Sequence, residues 1–237
     1  MTSLGFRGLG EYIKSRLRTI HPNPGPRQRN KTDDGIRRRR ERRYEKRTEK
    51  RPIIVAKEHL HIATWNVQRM SLGTFNKRKA RSVCEYARRS EWDAVLLSEI
   101  RSETNGVEWF GSGDNLTVII HSKRAGILLR GKLLKEWCED GQKKKQDERV
   151  VSVKMNRTVL ISTYQPVWKG NNEIEIEEAK INIEDHKKWA SKEDILLIGG
   201  DFNAHVGGGE DRPGVCGKWG LRESNYQGRE LLTWCEE

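Results

Sequence analysis

The chain has 237 residues, 34% of them hydrophobic and 34% charged, and its formal net charge at pH 7 is +12. One sizeable core is possible at this length, but so polar a composition predicts that part of the chain stays unpacked. The sequence contains no apolar run of the roughly 18 residues that a membrane-spanning helix needs, and no signal-peptide core follows Met1. The four cysteines lack zinc-site spacing. We therefore expect an intracellular protein with free thiols and no membrane partner.

The excess positive charge is concentrated at the N-terminus. Residues 1–57 contain 18 Lys and Arg against 6 Asp and Glu, whereas the other 180 residues contain 28 of each sign. This distribution predicts a basic, largely disordered arm over 1–57 that meets a polyanion or an import receptor, and it favours a nuclear over a cytoplasmic location. A solvated tail without a dedicated partner is the alternative. The candidate nucleic-acid contacts in the arm are Arg37, Arg38, Arg39, Arg40, Arg42 and Arg43.

A folded domain is predicted over residues 58–237, where apolar residues recur in regular patterns. Short apolar or alternating runs predict strands at 60–65, 94–98, 115–121, 125–130, 149–154, 159–163 and 195–199, the last of them buried. Apolar residues at helical spacing predict helices at 79–89 and 176–190 and a last helix around 231–235. Strands interspersed with helices indicate an α/β or α+β layered fold.

Polar side chains follow four of the predicted strands. Asn66 follows the first, Glu99 the second, Tyr164 the sixth, and Asp201 and Asn203 the last. Because strand ends at one rim of a sheet are where α/β folds build sites, we expect these side chains to gather. Two carboxylates accompanied by amide side chains supply hard oxygen ligands, which suit Mg²⁺ better than Zn²⁺.

Each of these residues also has a purely structural interpretation. Turn chemistry explains the two asparagines and the aspartate. Glu99 could instead pair with Arg101 at the surface, and Tyr164 could be a core aromatic residue with a solvated hydroxyl. For each residue taken singly, the structural interpretation is favoured. Because all of these residues follow predicted strands, a functional site becomes as well supported as the structural interpretations.

Four motifs resemble, in the same order, the successive motifs of the endonuclease/exonuclease/phosphatase superfamily: Ala63-Thr-Trp-Asn66, Leu97-Ser-Glu-Ile100, Tyr164-Gln-Pro166 and Gly200-Asp-Phe-Asn203. Others are similar to the endonuclease domain of non-LTR (LINE-type) retrotransposons, in particular its craniofacial-development-protein-like branch. These are Ala125-Gly-Ile-Leu-Leu129, Asn203-Ala-His-Val-Gly207, Gly214-Val-Cys-Gly-Lys-Trp-Gly220 and Asn225-Tyr-Gln-Gly-Arg-Glu-Leu-Leu232. The resemblance covers residues 59–237, and the ordered set is more specific than any one motif.

The resemblance implies a fold and a metal. The fold is a four-layer sandwich of two face-packed mixed sheets flanked by helices. The cofactor is Mg²⁺, with Mn²⁺ as a possible substitute. Glu99 is the implied principal metal ligand, and Asn66 is implied to lie beside it at the metal-bound phosphate.

The resemblance also implies the reaction, an in-line attack of water on a DNA phosphodiester. In that scheme Tyr164 reaches toward the scissile phosphate, Asp201 orients or deprotonates the water, and Asn203 donates to the phosphoryl oxygens. Arg149 is a candidate contact to backbone phosphate, with a simple strand-edge charge as the alternative.

Members of this family continue with a late segment that brings a Thr or Ser, a metal-side Asp and a terminal Asp-His pair, and none of the six histidines stands in an equivalent position. We therefore expect a domain that is incomplete at its C-terminus, with an open sheet edge and weak or absent nicking.

Three hypotheses follow. The first is a retrotransposon-derived endonuclease domain whose full-length parent carries a reverse transcriptase. The second is a non-catalytic nucleic-acid-binding protein that acts through the arm, with binding that falls steeply with salt. The third keeps the superfamily but takes an inositol phosphate, a lipid or poly(A), and the retrotransposon-like motifs disfavour it. The sequence does not indicate an oligomeric state.

Overall fold

The computed structural model describes residues 59–72, 77–208, 212–221 and 223–236. The predicted arm and its six candidate arginines lie outside the described residues, so the arm and its boundary at residue 57 stay predictions. Among the helices that are described, none is long and apolar enough to span a membrane.

The described residues form nine strands and four α-helices. The strands are β1 Ile62–Ser71, β2 Ala94–Arg101, β3 Gly106–Phe110, β4 Thr117–His121, β5 Ala125–Arg130, β6 Lys144–Gln146, β7 Val150–Met155, β8 Thr158–Tyr164 and β9 Ile195–Asp201. The helices are α1 Arg78–Arg89, α2 Gly131–Glu139, α3 Glu173–Lys187 and α4 Tyr226–Glu236.

The strands form two mixed sheets. The first has the order β1-β2-β5-β4-β3, and the second has the order β6-β7-β8-β9. In each sheet one neighbouring pair is parallel, β1 with β2 and β8 with β9, and the remaining pairs are antiparallel. Parallel neighbours end at the same edge of a sheet, which places the ends of these two pairs where a site can form.

Four layers follow from the alternation of side chains along β2. Val95 and Leu97 pack in the cluster that contains the buried face of α1, whereas Ala94 and Leu96 pack against the second sheet. The other face of the second sheet packs against α3 through Ile183. The order helix, sheet, sheet, helix confirms the layered fold class predicted from the sequence.

Helix α1 shows how the pattern becomes packing. Its buried residues are Ala80, Val83, Cys84 and Ala87, which recur at helical spacing and face the first sheet. Burial raises the pKa of the Cys84 thiol to about 12. The thiol therefore stays protonated at neutral pH and acts as a small apolar side chain.

The predicted strands and helices are confirmed with shifts of a few residues, and the hairpin across 155–158 is present. The short elements β3, β6 and α2 were not predicted. Helix α2 buries Leu133, Leu134 and Trp137 in the core between the sheets. Nine residues carry too few helical repeats for periodicity alone to identify them.

The prediction of a buried last strand is wrong. Among the described residues β9 pairs only with β8, so it lies at an edge of its sheet. Ile195 is 45% exposed, and the other residues of β9 are only partly buried. An edge strand has one side without a neighbour, and a continuous apolar run does not reveal this.

Candidate active site

A bulge between β1 and β2 positions the first two predicted site residues. Asn66 pairs with Ser98, and the next pair is Met70 with Ile100. Three residues of β1 therefore face one residue of β2, which is Glu99. Both strands continue past the residues at which they were predicted to end, because the extra residues are absorbed in the bulge.

The backbone at the bulge is strained. Glu99 has a φ of 59°, and Gln68 and Arg69 have φ values of 45° and 63°, all in the left-handed region that such residues seldom adopt. The turn at Glu99 shifts the alternation of β2 by one residue, so that Ile100 joins Leu97 in the cluster beneath α1. The Glu99 side chain is thereby turned away from that cluster. Strain of this kind concentrates at functional sites.

The ends of β8 and β9 bring the next two residues side by side. Tyr164 and Asp201 are partners in the parallel register. Gly200 immediately precedes Asp201 with a φ of +143°, and a Cβ there would lie 2.0 Å from the carbonyl oxygen of Thr163. Only glycine permits this close approach of the two backbones.

Asp201 is held by two donors from separate elements. Its Oδ2 accepts a hydrogen bond of 2.7 Å from Asn66 Nδ2, and its Oδ1 accepts one of 2.9 Å from the backbone N–H of Asn203. Asn203 Nδ2 donates to the carbonyl oxygen of Gln165 at 2.7 Å. Each carboxylate oxygen keeps a lone pair for a further donor such as water.

Tyr164 lies near both carboxylates. Its hydroxyl lies 3.5 Å from Glu99 Oε1. Burial, and then the negative charges of Glu99 and Asp201, raise the pKa of the Tyr164 hydroxyl above its ordinary value, against smaller opposing effects of Asn203 and Arg149. The hydroxyl therefore stays protonated at neutral pH and can donate a hydrogen bond.

Arg149 lies beside this cluster. Its guanidinium carbon is 6.0 Å from the centroid of the Tyr164 ring, and the guanidinium forms an ion pair with Glu175 of α3. The Arg149 side chain is 18% exposed, so it is a largely buried cation rather than a strand-edge charge in solvent. Its predicted contact with phosphate stays a prediction.

Two amide residues of the last predicted motif support the site. Asn225 Oδ1 accepts hydrogen bonds from the backbone N–H groups of Gly228 and His205, at 2.7 and 3.0 Å. The first of these is the usual N-cap contact at the start of α4. The side chain of the buried Gln227 donates to the carbonyl oxygens of Pro166 and Phe202, at 2.7 and 3.3 Å. Helix α4 therefore fixes both loops that follow Tyr164 and Asp201.

The oxygen donors fit a hard divalent cation. Among the described residues the hydroxyl of Tyr164 is the sole hydrogen-bond partner of the Glu99 carboxylate, and Asn66 Oδ1 accepts only from the N–H of Gln68. The described part of the chain has no group of three or more His, Cys, Asp and Glu that could hold a metal. Mg²⁺ is usually held by one or two carboxylates together with waters and substrate phosphates, and the oxygens of Glu99 and Asn66 fit that pattern.

A second hydrogen-bonded set, on the outer side of the second sheet, has the composition of a hydrolase triad. His186 of α3 contacts Ser152 Oγ through Nδ1 and Asp147 Oδ2 through Nε2, both at 2.8 Å. Ser152 and His186 are fully buried, so no substrate can reach the hydroxyl. This set ties α3 to β7.

The structure thus brings five predicted site residues together: Asn66, Glu99, Tyr164, Asp201 and Asn203. Their individual roles stay predictions. The supporting residues Gln165, Asn225 and Gln227 were not singled out in the sequence. All three lie within the motifs Tyr164-Gln-Pro166 and Asn225-Tyr-Gln-Gly-Arg-Glu-Leu-Leu232, and an asparagine directly before a helix is a further local signal, because capping depends on local sequence. The contacts of the two glutamines join distant segments.

Comparisons with known proteins place the chain beside two mammalian relatives. No protein-family model matches it. Craniofacial development protein 2 of Bos taurus is 28% identical over 189 residues, which cover 76% of this chain and 30% of that protein. The protein of the same name from Tragulus javanicus is 26% identical over 189 residues, with coverages of 76% and 31%. The chain therefore spans about a third or less of the length of these relatives.

Solved structures with some likeness to the chain include the following three. The endonuclease domain of TRAS1, a telomere-specific non-LTR retrotransposon, gives a TM-score of 0.40 at 18% identity, covering 73% of this chain and 70% of that one. A humanized D. rerio TDP2 gives 0.36 at 20% identity, with coverages of 61% and 62%. An endonuclease/exonuclease/phosphatase family protein from Leptotrichia buccalis gives 0.38 at 16% identity, with coverages of 62% and 68%. In sequence the chain thus resembles craniofacial development protein 2 of these two mammals, and it has two face-packed mixed sheets flanked by helices, as the resemblance of its motifs implied.

Proposed function

We propose that this chain carries a divalent-metal-dependent phosphodiesterase site that acts on DNA. The observation that carries the proposal is the meeting of Glu99 and Asp201 around Tyr164, with Asn66 bonded to Asp201. Four strands from two sheets contribute to this cluster, and three of them, β1, β2 and β9, have strained or glycine-dependent backbone beside it. A purely structural surface would gain nothing from that strain.

Glu99 and the side-chain oxygen of Asn66 are the residues that would hold Mg²⁺ or Mn²⁺. The cation would supply charge neutralisation at a phosphoryl oxygen. Tyr164 is protonated at neutral pH, and its raised pKa keeps it so at higher pH; its hydroxyl donates a hydrogen bond toward a non-bridging phosphate oxygen. Asp201, oriented by Asn66 and by the backbone of Asn203, accepts from the attacking water and takes its proton.

The proposals about the origin, the partner domain and the location of the protein rest on sequence similarity. We propose a retrotransposon-derived endonuclease whose full-length parent joins this domain to a reverse transcriptase and acts in the nucleus. We expect weak or absent nicking. His121 and His186 are bonded within the core, and no described contact brings a histidine side chain to the cluster.

The experiment measures nicking of supercoiled plasmid by the full chain with Mg²⁺ or Mn²⁺, together with Mn²⁺ binding by electron paramagnetic resonance. Glu99→Gln should lower both, with Mn²⁺ affinity falling about 100-fold or more, since altering outer-shell residues alone costs 10- to 100-fold. Glu103→Gln makes the same chemical change four residues away at an exposed position and should change neither.

The binding measurement keeps the test decisive when nicking is slow. Equal Mn²⁺ affinities for the wild type, Glu99→Gln and Glu103→Gln would reject the metal site. DNA binding that is strong, metal-independent and lost when residues 1–57 are removed would favour the non-catalytic binding protein instead.

A further inference from the structure

An aromatic pair lies next to the candidate active site and has no part in the chemistry proposed for it. The rings of Trp168 and Tyr226 stack with centroids 4.6 Å apart and an interplanar angle of 27°. Trp168 follows Tyr164 by four residues, and Tyr226 is the first residue of α4. Tyr226 is 40% exposed and Trp168 is partly exposed, so the pair presents aromatic surface to solvent.

The pair is fixed to the same frame as the site. Gln227, the residue after Tyr226, accepts a hydrogen bond of 2.9 Å from the backbone N–H of Trp168. The side-chain nitrogen of Gln227 donates to Phe202, which stands between Asp201 and Asn203. One buried glutamine therefore sets the aromatic pair relative to Asn203 and to Asp201, the carboxylate that we propose takes the proton of the attacking water.

Tyr226 also lines a cleft between α3 and α4. Phe202 and Gln165 line the same cleft, as do Lys180 and Glu230, which form an ion pair at 2.9 Å. Phe202 and Gln165 directly follow Asp201 and Tyr164 in the chain. The cleft thus adjoins the ends of the two strands that carry the site.

We propose that Trp168 and Tyr226 form a stacking subsite for an unpaired nucleobase of the DNA strand held at the candidate active site. The inference rests on the proposed function and adds to it a preference for single-stranded or locally opened DNA. Stacking of a base on an aromatic side chain is worth about 1–3 kcal/mol and tolerates any base, since every base has a π-face.

The charge and the location of the aromatic pair favour a nucleobase over an apolar protein segment as its ligand. Lys169 directly follows Trp168 in the chain and is exposed, so a cation near the pair is available to a nucleotide phosphate. A second aromatic cluster shows the contrast. Trp65 and Trp92 pack against the core beneath α1 and are joined there by Tyr86, so that cluster already serves packing.

The test compares two labelled single-stranded oligonucleotides of equal length, one with bases and one with abasic linkers, by fluorescence anisotropy without divalent metal. Both present the same phosphates, so the ratio of their affinities reports the bases and cancels the contribution of the basic arm. For the full wild-type chain we expect the base-containing strand to bind about tenfold more tightly.

Tyr226→Ala should reduce that ratio to near one, and Tyr226→Phe should preserve it because the ring remains. Tyr86→Ala is the matched control, since Tyr86 is 43% exposed and also lies in an aromatic cluster; it should leave the ratio unchanged. Thermal unfolding checks that the variants are folded, and Tyr226→Leu, which keeps an apolar side chain but removes the ring, carries the test where Tyr226→Ala does not fold.

A wild-type ratio of one overturns the proposal, as does an equal loss in Tyr226→Ala and Tyr86→Ala or a loss in Tyr226→Phe. The outcome is separable from that of the proposed function. If the Mn²⁺-binding measurements reject the metal site, a base-dependent affinity ratio can still be observed. If nicking depends on metal but the affinity ratio is one, only the stacking subsite is rejected.

Discussion

Gly200→Ala tests whether the contact between β8 and β9 sets the geometry of the site. The φ of +143° at Gly200 is one that L-residues rarely adopt, and adopting such a conformation costs about 1–3 kcal/mol. The added Cβ would stand 2.0 Å from the carbonyl oxygen of Thr163, a backbone atom that cannot rotate away. The two strands must separate by about 1 Å, which weakens their hydrogen bonds by roughly another 1 kcal/mol.

We therefore expect Gly200→Ala to lower the free energy of unfolding by about 3 kcal/mol. For a domain of this size that corresponds to a fall in Tm of roughly 6–12 °C, measured by circular dichroism. Because Tyr164 and Asp201 are the next register pair, a displacement of about 1 Å should also reduce any nicking about 100-fold.

Alanine substitutions at two other glycines serve as controls. At Gly199 a Cβ would meet only the tip of the Leu96 side chain, at 2.7 Å, and at Gly217 it would meet nothing within 4 Å. Gly199→Ala should cost about 1 kcal/mol, as mild overpacking does, and Gly217→Ala should be neutral. If Gly200→Ala melts within about 2 °C of Gly217→Ala, the strand contact does not constrain the site and the reasoning is wrong.

Three further predictions concern charge. Glu99→Gln should lower the pKa of Tyr164, because the negative charge of Glu99 helps to raise it; a difference titration at the tyrosinate absorbance detects this, and an unchanged titration contradicts the contact. Lys154 holds the pKa of Asp194 at about 2, below its ordinary 3.8. A depressed carboxyl pKa stabilises the fold above pH 3.8 and loses that effect as pH falls toward 2, so Asp194→Asn should flatten the acid branch of a stability–pH curve, and an identical branch rejects the pair. Deleting residues 1–57, which carry the whole net charge of +12, should weaken DNA binding and reduce its dependence on salt; an unchanged salt slope excludes the arm as the contact.

The sequence predicted an element reliably where that element depends only on the pattern of neighbouring residues. Ala80, Val83 and Ala87 predicted the buried face of α1, because helical periodicity depends only on spacing. The strands predicted at 149–154 and 159–163 form the hairpin across 155–158, and they were found for the same reason, since two alternating runs flank a short polar turn. Strand β9 was placed correctly in the chain but wrongly in the core, because burial depends on what lies beside it.

The candidate site divides in the same way. The sequence by itself determined the identity of its donors, the oxygen ligands Glu99 and Asp201 with their neighbouring amides, because ligand hardness belongs to the side chain. The tertiary structure alone decided that these residues meet. Three features bring these residues together: the bulge opposite Glu99, the hydrogen bond from Asn66 to Asp201, and the contact of Tyr164 with Glu99. They join segments up to 135 residues apart. Such contacts arise from the packing of two sheets, and no local propensity encodes them.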